Sequence, residues 1–455
     1  MPAQRTTWLV TPEVTVAGTD YLGDTPPEAL ASMGALLVRV GGVLHRQRQT
    51  EGLVLVDERA AAMLGLSERA TDDGTRQRAL DAATAAGYRS GKLGTFTQFF
   101  GHGRPTIHVG RAEVITAAAL ASDPRTWPWC PVWHPEVTTG PQHWHRLTGI
   151  PWQSGPAIIG VELIRRTLKP YRVEDVKGQR SPDLKDTDHP DLHDAGEAVW
   201  TPEMWHAPQI GAFLHTYDKR RAGITAARVA KLSPARLTRR RFAKFDPKRA
   251  GWWEVTNQAW NDPRMPHPLG PQATNKHAKT VKVTTATLEL AAELAAEGVF
   301  SMPEVVDSWT GPARQVLGPF AELLETTYQA PADDDYPAWV QEQVREAVKV
   351  VGERGIGMLN KGDGNSTILR RDWFYGVNAT KRANGWRRAW RIGNQEKRWP
   401  VAFQDDSVTY VSDDPDPLRS APRALHNPTD TSERAPRLNI DAAGQYRIEG
   451  TRDNK

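Results

Sequence analysis

The chain has 455 residues and a net charge of +4, and at roughly 150 residues per domain its length predicts two or three domains. Apolar residues make up 39% without glycine, an ordinary globular share that excludes a disordered chain. Cys130 is the single cysteine, no apolar run nears the roughly 18 residues of a membrane span, and no basic-then-apolar start is present; a soluble cytoplasmic protein is expected, with no disulfide and no membrane partner.

Residues 1–115 alternate β-like runs (Ala35–Leu44, Gly52–Val56) with alanine-rich helical stretches (Glu58–Leu64, Arg76–Ala86). Gly101–Val109 reads as a hairpin-like segment, and the whole predicts a small α/β domain. Residues 116–198 form a connector. Five tryptophans lie between Trp127 and Trp152, beside Cys130, His134, His143 and His145. Their Cys-x3-His and His-x-His spacings allow a metal site, but with a lone thiol an aromatic-rich structural loop is the favoured reading. Gly155–Thr167 predicts a short helix, and polar residues 171–198, with Pro182 and Pro190, a linker or surface loop.

Within 199–412, Ile210–Tyr217 is a strand-like run ending at Asp218, and Ala222–Leu232 is helical. Helices are also expected at Val281–Phe300, Arg314–Tyr328 and Trp339–Glu353. Gly355–Gly364 reads as a glycine-rich connection, Trp373–Ile392 as a basic helix, and Val401–Ser412 as a hairpin with an acidic tip. Residues 413–455 are a Pro- and Asp-rich tail with a last strand pair near Leu438–Ile448.

Charge is unevenly spread. Residues 219–250 hold 12 Lys/Arg against Asp246 alone, and residues 361–400 hold 10 against three acids, so the remainder of the chain is net acidic. A solvated helix face explains either run singly; two such runs point to a polyanionic partner.

Two carboxylates stand at the ends of apolar strands: Asp218 after Phe213-Leu214-His215-Thr216-Tyr217, and the pair Asp405-Asp406 after Val401-Ala402-Phe403-Gln404. Side by side they would make a hard-oxygen site for Mg²⁺ or Mn²⁺, and two such ions can clamp the attacking and leaving oxygens of a phosphoryl displacement. The alternative for Asp405-Asp406 is a plain hairpin turn. Between the carboxylates lie Lys361-Gly362-Asp363-Gly364-Asn365-Ser366 and then Arg370, Arg371, Lys381, Arg382, Arg387 and Arg388. Such cations suit a triphosphate, which is bound largely through charge and bidentate donors.

These motifs resemble family B DNA polymerases. Tyr217-Asp218-Lys219-Arg220-Arg221-Ala222 is similar to motif A, a strand ending in Asp followed by a turn and helix. Gln404-Asp405-Asp406-Ser407 is similar to the Asp-x-Asp-Ser of motif C, with Gln404 in place of the first Asp and Asp406 at the second. Lys361 to Ser366 has the Lys-x3-Asn-Ser spacing of motif B, without the Tyr-Gly that should follow. The chain further resembles the telomere-associated proteins of linear actinobacterial replicons and related phage and plasmid replication proteins. Trp144–Pro151, Asp262–Pro268, Arg371-Asp372-Trp373 and Tyr446–Thr451 carry that likeness over residues 95–451.

The resemblance implies an α+β fold: a polymerase-like palm, an antiparallel sheet with helices, preceded by a smaller α/β N-terminal domain of degenerate exonuclease type. It implies a template-dependent DNA polymerase with Asp218 and Asp406 on two Mg²⁺ or Mn²⁺ ions and Asp405 assisting or shaping the turn. Lys361, Asn365, Arg371, Lys381, Arg382 and Arg388 would meet the nucleotide. Arg239, Arg240, Arg241, Lys244, Lys248 and Arg249 would follow the DNA backbone. Gly223 stands where the family has an aromatic steric gate, so ribonucleotides as well as deoxynucleoside triphosphates are expected to enter. No Asp-x-Glu sits in an apolar strand of residues 1–200, so no proofreading is expected. The implied partners are a primer–template and a terminal priming protein, in the nucleoid of a bacterial host. The alternatives are an inactive DNA-end scaffold that recruits a terminal protein and, below it, a metal-dependent nuclease.

Overall fold

The computed structural model describes residues 6–10, 15–17, 51–56, 81, 84–85, 88–93, 96–101, 111–116, 128–129, 139–150, 152, 155–168, 211–275, 277–331, 335–361, 369–404, 407–425 and 446–453. Two compact units divide the chain, one of residues 1–163 and 326–355, the other of residues 164–325 and 356–455.

In the first unit, β1 (Thr6–Val10), β2 (Thr15–Ala17), β3 (Glu51–Val56), β4 (Tyr88–Leu93), β5 (Phe96–Gly101) and β6 (Arg111–Thr116) form one sheet. Its order is β2-β1-β3-β6-β5-β4. The three central strands β1, β3 and β6 are parallel, and their near-continuous apolar runs, such as Leu53-Val54-Leu55-Val56, are what parallel strands require. The expected strand at Gly52–Val56 is β3. Ala35–Leu44 and Glu58–Leu64 lie outside the described residues, as do Arg76–Ala86 apart from residues 81 and 84–85 and Gly101–Val109 beyond Gly101. The antiparallel β4–β5 hairpin has no counterpart in the sequence reading, because Ser90, Lys92, Thr97 and Gln98 break its apolar pattern.

Helix α1 (Thr139–Thr148) carries Trp144 into an edge-to-face cluster with Trp129 and Trp152, ring centroids 4.7–6.4 Å apart. His143 is buried beside it, with Nε2 2.9 Å from Gln341 Oε1 and its ring against Tyr336. Trp129, Trp144 and Trp152 are therefore core. Cys130 and His134 lie outside the described residues, and no group of three or more metal-ligating side chains occurs among the described ones.

Helix α2 (Pro156–Leu168) is the expected helix after Gly155. The second unit adds β7 (Phe213–Lys219), α3 (Ala222–Val229), β8 (Thr238–Arg239), β9 (Arg249–Thr256), β10 (Thr280–Thr284), α4 (Thr285–Ala296) and β11 (Val305–Pro312). Then follow α5 (Gly318–Gln329), α6 (Ala338–Lys361), α7 (Arg371–Glu396), β12 (Ala402–Gln404), β13 (Ser407–Ser412) and β14 (Tyr446–Asp453). The division between units falls within α2, α5 and α6.

Two antiparallel sheets organise the second unit, β10-β9-β11-β8 and β12-β13-β7-β14. The first packs Trp253, Val255, Val281 and Val283 against Leu288, Leu290 and Leu294 of α4 and Ala383 and Trp386 of α7. The second gathers Tyr217, Val408, Tyr410 and Tyr446 around Ile392 of α7. Helices with antiparallel sheets make this an α+β chain.

Two expected elements are corrected. Val281–Phe300 is not one helix, since Thr280–Thr284 is strand β10 and the helix starts at Thr285. Val281 and Val283 alternate inward as β-branched residues do on a half-buried strand. Gly355–Gly364 is not a connection at its start, since α6 continues through Gly355 and Gly357 to Lys361. A Cβ on Gly355 would stand 2.8 Å from the Cα of Gly160 on α2, so this glycine lets two helices approach closely.

Candidate active site

Strand β7 alternates as a half-buried strand should. His215 and Tyr217 are fully buried on one face, while Thr216 and Asp218 fall on the other. Both buried side chains are tied to the stretch after β13: His215 Nε2 lies 2.8 Å from Asp414 O, and the Tyr217 hydroxyl donates to Pro417 O at 2.7 Å. Burial raises the Tyr217 pKa, so the hydroxyl stays a donor. Residue 218 therefore sits at the end of an interior strand with little freedom to slide, because a one-residue slip would expose Tyr217.

At that end, three strands align one residue each. Ser407 on β13 and Arg447 on β14 are both register partners of Asp218. Arg447 grips the carboxylate with two nitrogens on Oδ2, Nε at 2.7 Å and Nη2 at 2.6 Å. The Asp218 side chain is only 13% exposed, and that of Arg447 49%. Ser407 Oγ donates to Glu449 Oε2 at 2.8 Å. Glu449 sits at a register shift in β14 between Ile448 and Gly450, the kind of irregularity that re-aims a side chain.

Arg447 and Glu449 have no role in the sequence reading, although both lie in the Tyr446–Thr451 motif. The signal available was alternation: Tyr446 and Ile448 face the core, and Arg447 and Glu449 the site. Asp405 and Asp406 lie outside the described residues, between β12 and β13, whose register ends at the pair Gln404 and Ser407.

After Lys219 the chain turns at Arg221, a left-handed residue (φ 51°), and enters α3. Gly223 in its first turn is half-buried, and a Cβ there would meet only Ile356 Cδ1, at 3.8 Å.

The cations expected at the nucleotide are differently employed. Lys361 ends α6, and Asn365 lies outside the described residues. Arg371 is exposed at the start of α7, its Nε 3.4 Å from Asn360 O, and Lys381 is half-buried. Arg382 turns toward α4 and donates through Nη2 to Pro268 O and Thr287 Oγ1, at 3.0 and 2.9 Å. Burial, with Arg387 nearby, pushes its pKa down to about 10, and its Nε and Nη1 have no hydrogen-bond partner among the described residues. Arg388 takes another face, stacking 5.1 Å from the Tyr446 ring centroid, one residue from the partner of Asp218.

The basic stretch also divides. Arg239 places two nitrogens on Asp307 Oδ2, at 2.8 and 2.6 Å, and lies over Trp309. Arg249 donates to both Oγ1 and O of Thr310 at 2.8 Å. These two brace the backbone-paired β8–β9–β11 strands from their side chains. Arg240, Arg241, Lys244 and Lys248 are exposed.

No protein-family model and no curated protein matches the chain. Solved structures do: Phi29 DNA polymerase complexed with primer-template DNA and the same polymerase complexed with single-stranded DNA. Each aligns over 98% of this chain and 85% of that one with a TM-score of 0.51 and 10% identity. The fold is similar to that of Phi29 DNA polymerase. At 10% identity the likeness is one of architecture, and no helix among the described residues is long and apolar enough to cross a membrane.

Proposed function

We propose that the chain is a template-dependent DNA polymerase that joins deoxynucleoside triphosphates to a primer hydroxyl, with Asp218 and Asp406 as its cation ligands. The observation that carries this is the register of Ser407 opposite Asp218 in a fold similar to that of a DNA polymerase bound to primer-template. Asp406 precedes Ser407 in the sequence, and the pairing of Ser407 with Asp218 supports assigning the two carboxylates to one site.

The donor set fits a hard divalent ion, Mg²⁺ or Mn²⁺: a shielded carboxylate on β7 and Glu449 on Ser407 Oγ are hard oxygens, with Asp406 next to Ser407 in sequence. When bound, two such ions lower the pKa of the primer hydroxyl and neutralise the leaving pyrophosphate. Asp218 gives a fixed oxygen, because its strand is locked by Tyr217 and His215. Glu449 holds the Ser407 hydroxyl and so steadies the start of β13; Asp405 is assigned to assisting the cation ligands or to shaping the turn. Arg388, stacked on Tyr446, is the helix cation best supported for the triphosphate; Arg371, Lys381, Lys361 and Asn365 are assigned to the nucleotide on the sequence motif alone. Arg382 holds two buried donors that an anion would satisfy. Arg240, Arg241, Lys244 and Lys248 follow the DNA backbone, on a sheet braced by Arg239 and Arg249. With Gly223 at the gate position, ribonucleotides enter too, and no proofreading accompanies synthesis. On the likeness to telomere-associated replication proteins, the primer hydroxyl belongs to a terminal protein.

Primer extension on a labelled duplex with a 5′ overhang tests this, with Mg²⁺ or Mn²⁺ and with dNTPs or NTPs. Templated extension by the wild type, abolished by Asp218→Ala and by Asp406→Ala, is expected. A second reading, an inactive scaffold at DNA ends, is favoured by Gln404 in motif C and by the Arg447 grip on Asp218. DNA binding without extension in either metal would establish it instead.

A further inference from the structure

Among the described residues, Phe242 is the most exposed large hydrophobic side chain, at 78%. It also has a left-handed backbone (φ 51°), which bulky L-residues rarely adopt. Neither feature comes from a loose loop. Just before it, the Arg240 N–H donates to Ser308 O, and the Phe242 N–H itself donates to Val306 O at 3.1 Å. Three residues on, Phe245 packs edge-to-face on core Trp253. The chain is thus pinned on both sides of an aromatic ring that points into solvent. Around it in sequence stand Arg240, Arg241 and Lys244, all exposed; Arg239 is spent on Asp307 and Trp309, and Arg241 Nε stands 4.0 Å from the same Asp307 oxygen with its side chain 68% exposed. Strained residues held by well-determined surroundings gather at functional sites, and an outward aromatic between cations has one evident use.

We propose that Phe242 is a stacking platform for an unpaired base of single-stranded DNA, with Arg240, Arg241 and Lys244 holding the flanking phosphates. The inference rests on the polymerase reading for its biological setting, but the site is a binding site and not part of the chemistry. A flat ring accepts any base face, so the contact is tolerant of sequence, while the cations read only the backbone. A duplex keeps its bases stacked and gains only from the cations.

The experiment measures binding of the full chain to a labelled single-stranded oligonucleotide, to the same strand carrying abasic spacers, and to duplex, without nucleotides or divalent metal. Phe242→Asn is the informative variant, because asparagine tolerates the left-handed backbone and the fold should be at least as stable by thermal melting. Wild type is expected to prefer the strand with bases over the abasic one by about tenfold, given the worth of one base–aromatic stack. Phe242→Asn should remove most of that preference and leave abasic and duplex binding alone; Phe242→Trp should keep it. Arg241→Ala with Lys244→Ala should weaken all three ligands. An unchanged preference in Phe242→Asn, or no single-strand binding by wild type, would overturn the inference. Primer extension by wild type and by Asp218→Ala, run in parallel, judges the polymerase reading on its own.

Discussion

Arg447 is the residue whose replacement tests the site most directly. Both nitrogens of its fork lie on Asp218 Oδ2, at 2.7 and 2.6 Å, so a cation taking that oxygen must displace them. A hydrogen bond to a charged group contributes about 1.5–3 kcal/mol when shielded. Arg447 is half exposed, and pairs open to water contribute up to about 1 kcal/mol. Releasing about 1 kcal/mol corresponds to roughly a fivefold change in affinity. Removing the positive charge beside an incoming cation acts in the same direction. Arg447→Gln should therefore tighten Mn²⁺ binding by about fivefold or more, read by isothermal titration or by the EPR signal of free Mn²⁺. The Mg²⁺ concentration giving half-maximal primer extension should fall with it. Asp218→Asn must abolish that class of binding in both backgrounds. Unchanged or weaker Mn²⁺ binding in Arg447→Gln would refute the competition, and with it the claim that Asp218 receives the cation.

Gly223→Tyr tests sugar selection: a Cβ meets only Ile356 Cδ1 at 3.8 Å, so the backbone accepts a side chain there, and discrimination against NTPs in single-nucleotide insertion should rise by roughly 10–200-fold. Equal loss of dNTP and NTP insertion would show that the position is not a gate. Gly160→Val would press a side chain into Gly355 Cα, 2.5 Å from the new Cβ, and should cost about 1–3 kcal/mol in denaturant unfolding, whereas Gly357→Ala, with nothing within 4 Å, should cost nothing. His267 is held neutral, its Nε2 donating to Gln258 O and its Nδ1 accepting from Leu269 N–H, and burial lowers its pKa. A lowered histidine pKa leaves the unfolded chain binding the extra proton, so this contribution is full above about pH 6.5 and lost as pH falls below it; the pH 7-to-5 loss of melting temperature should shrink in His267→Gln.

How much of this the sequence disclosed depended on the period of each segment. Strand β7 was legible because Phe213–Asp218 is short, apolar and ends in a charge, and α7 because Trp373–Ile392 carries a helical pattern. The β9 and β11 strands were not, since Gly251, Glu254, Asp307 and Gly311 interrupt any alternation, and the sheet is completed instead by Arg239 and Arg249 reaching across it. Gly355 misled for a related reason. A glycine in a helix costs local propensity, so it reads as a break, and only the facing Gly160 shows that it is there for close approach.

The same asymmetry applies to the site. A carboxylate at a strand end announces itself, but what it touches is set by register, and register is a property of strand pairs. Asp218 and Arg447 are 229 residues apart in sequence, and no local pattern links them. The link is Tyr217: because its ring and that of Tyr446 must both enter the core around Ile392, β7 and β14 can pair in only one phase. That phase puts Arg447 opposite Asp218 on the other face. The two buried tyrosines thus keep Arg447 and Asp218 on one face, and the observed register sets them opposite each other. Any substitution that lets β14 slip should uncouple Arg447 from Asp218 as surely as removing the arginine.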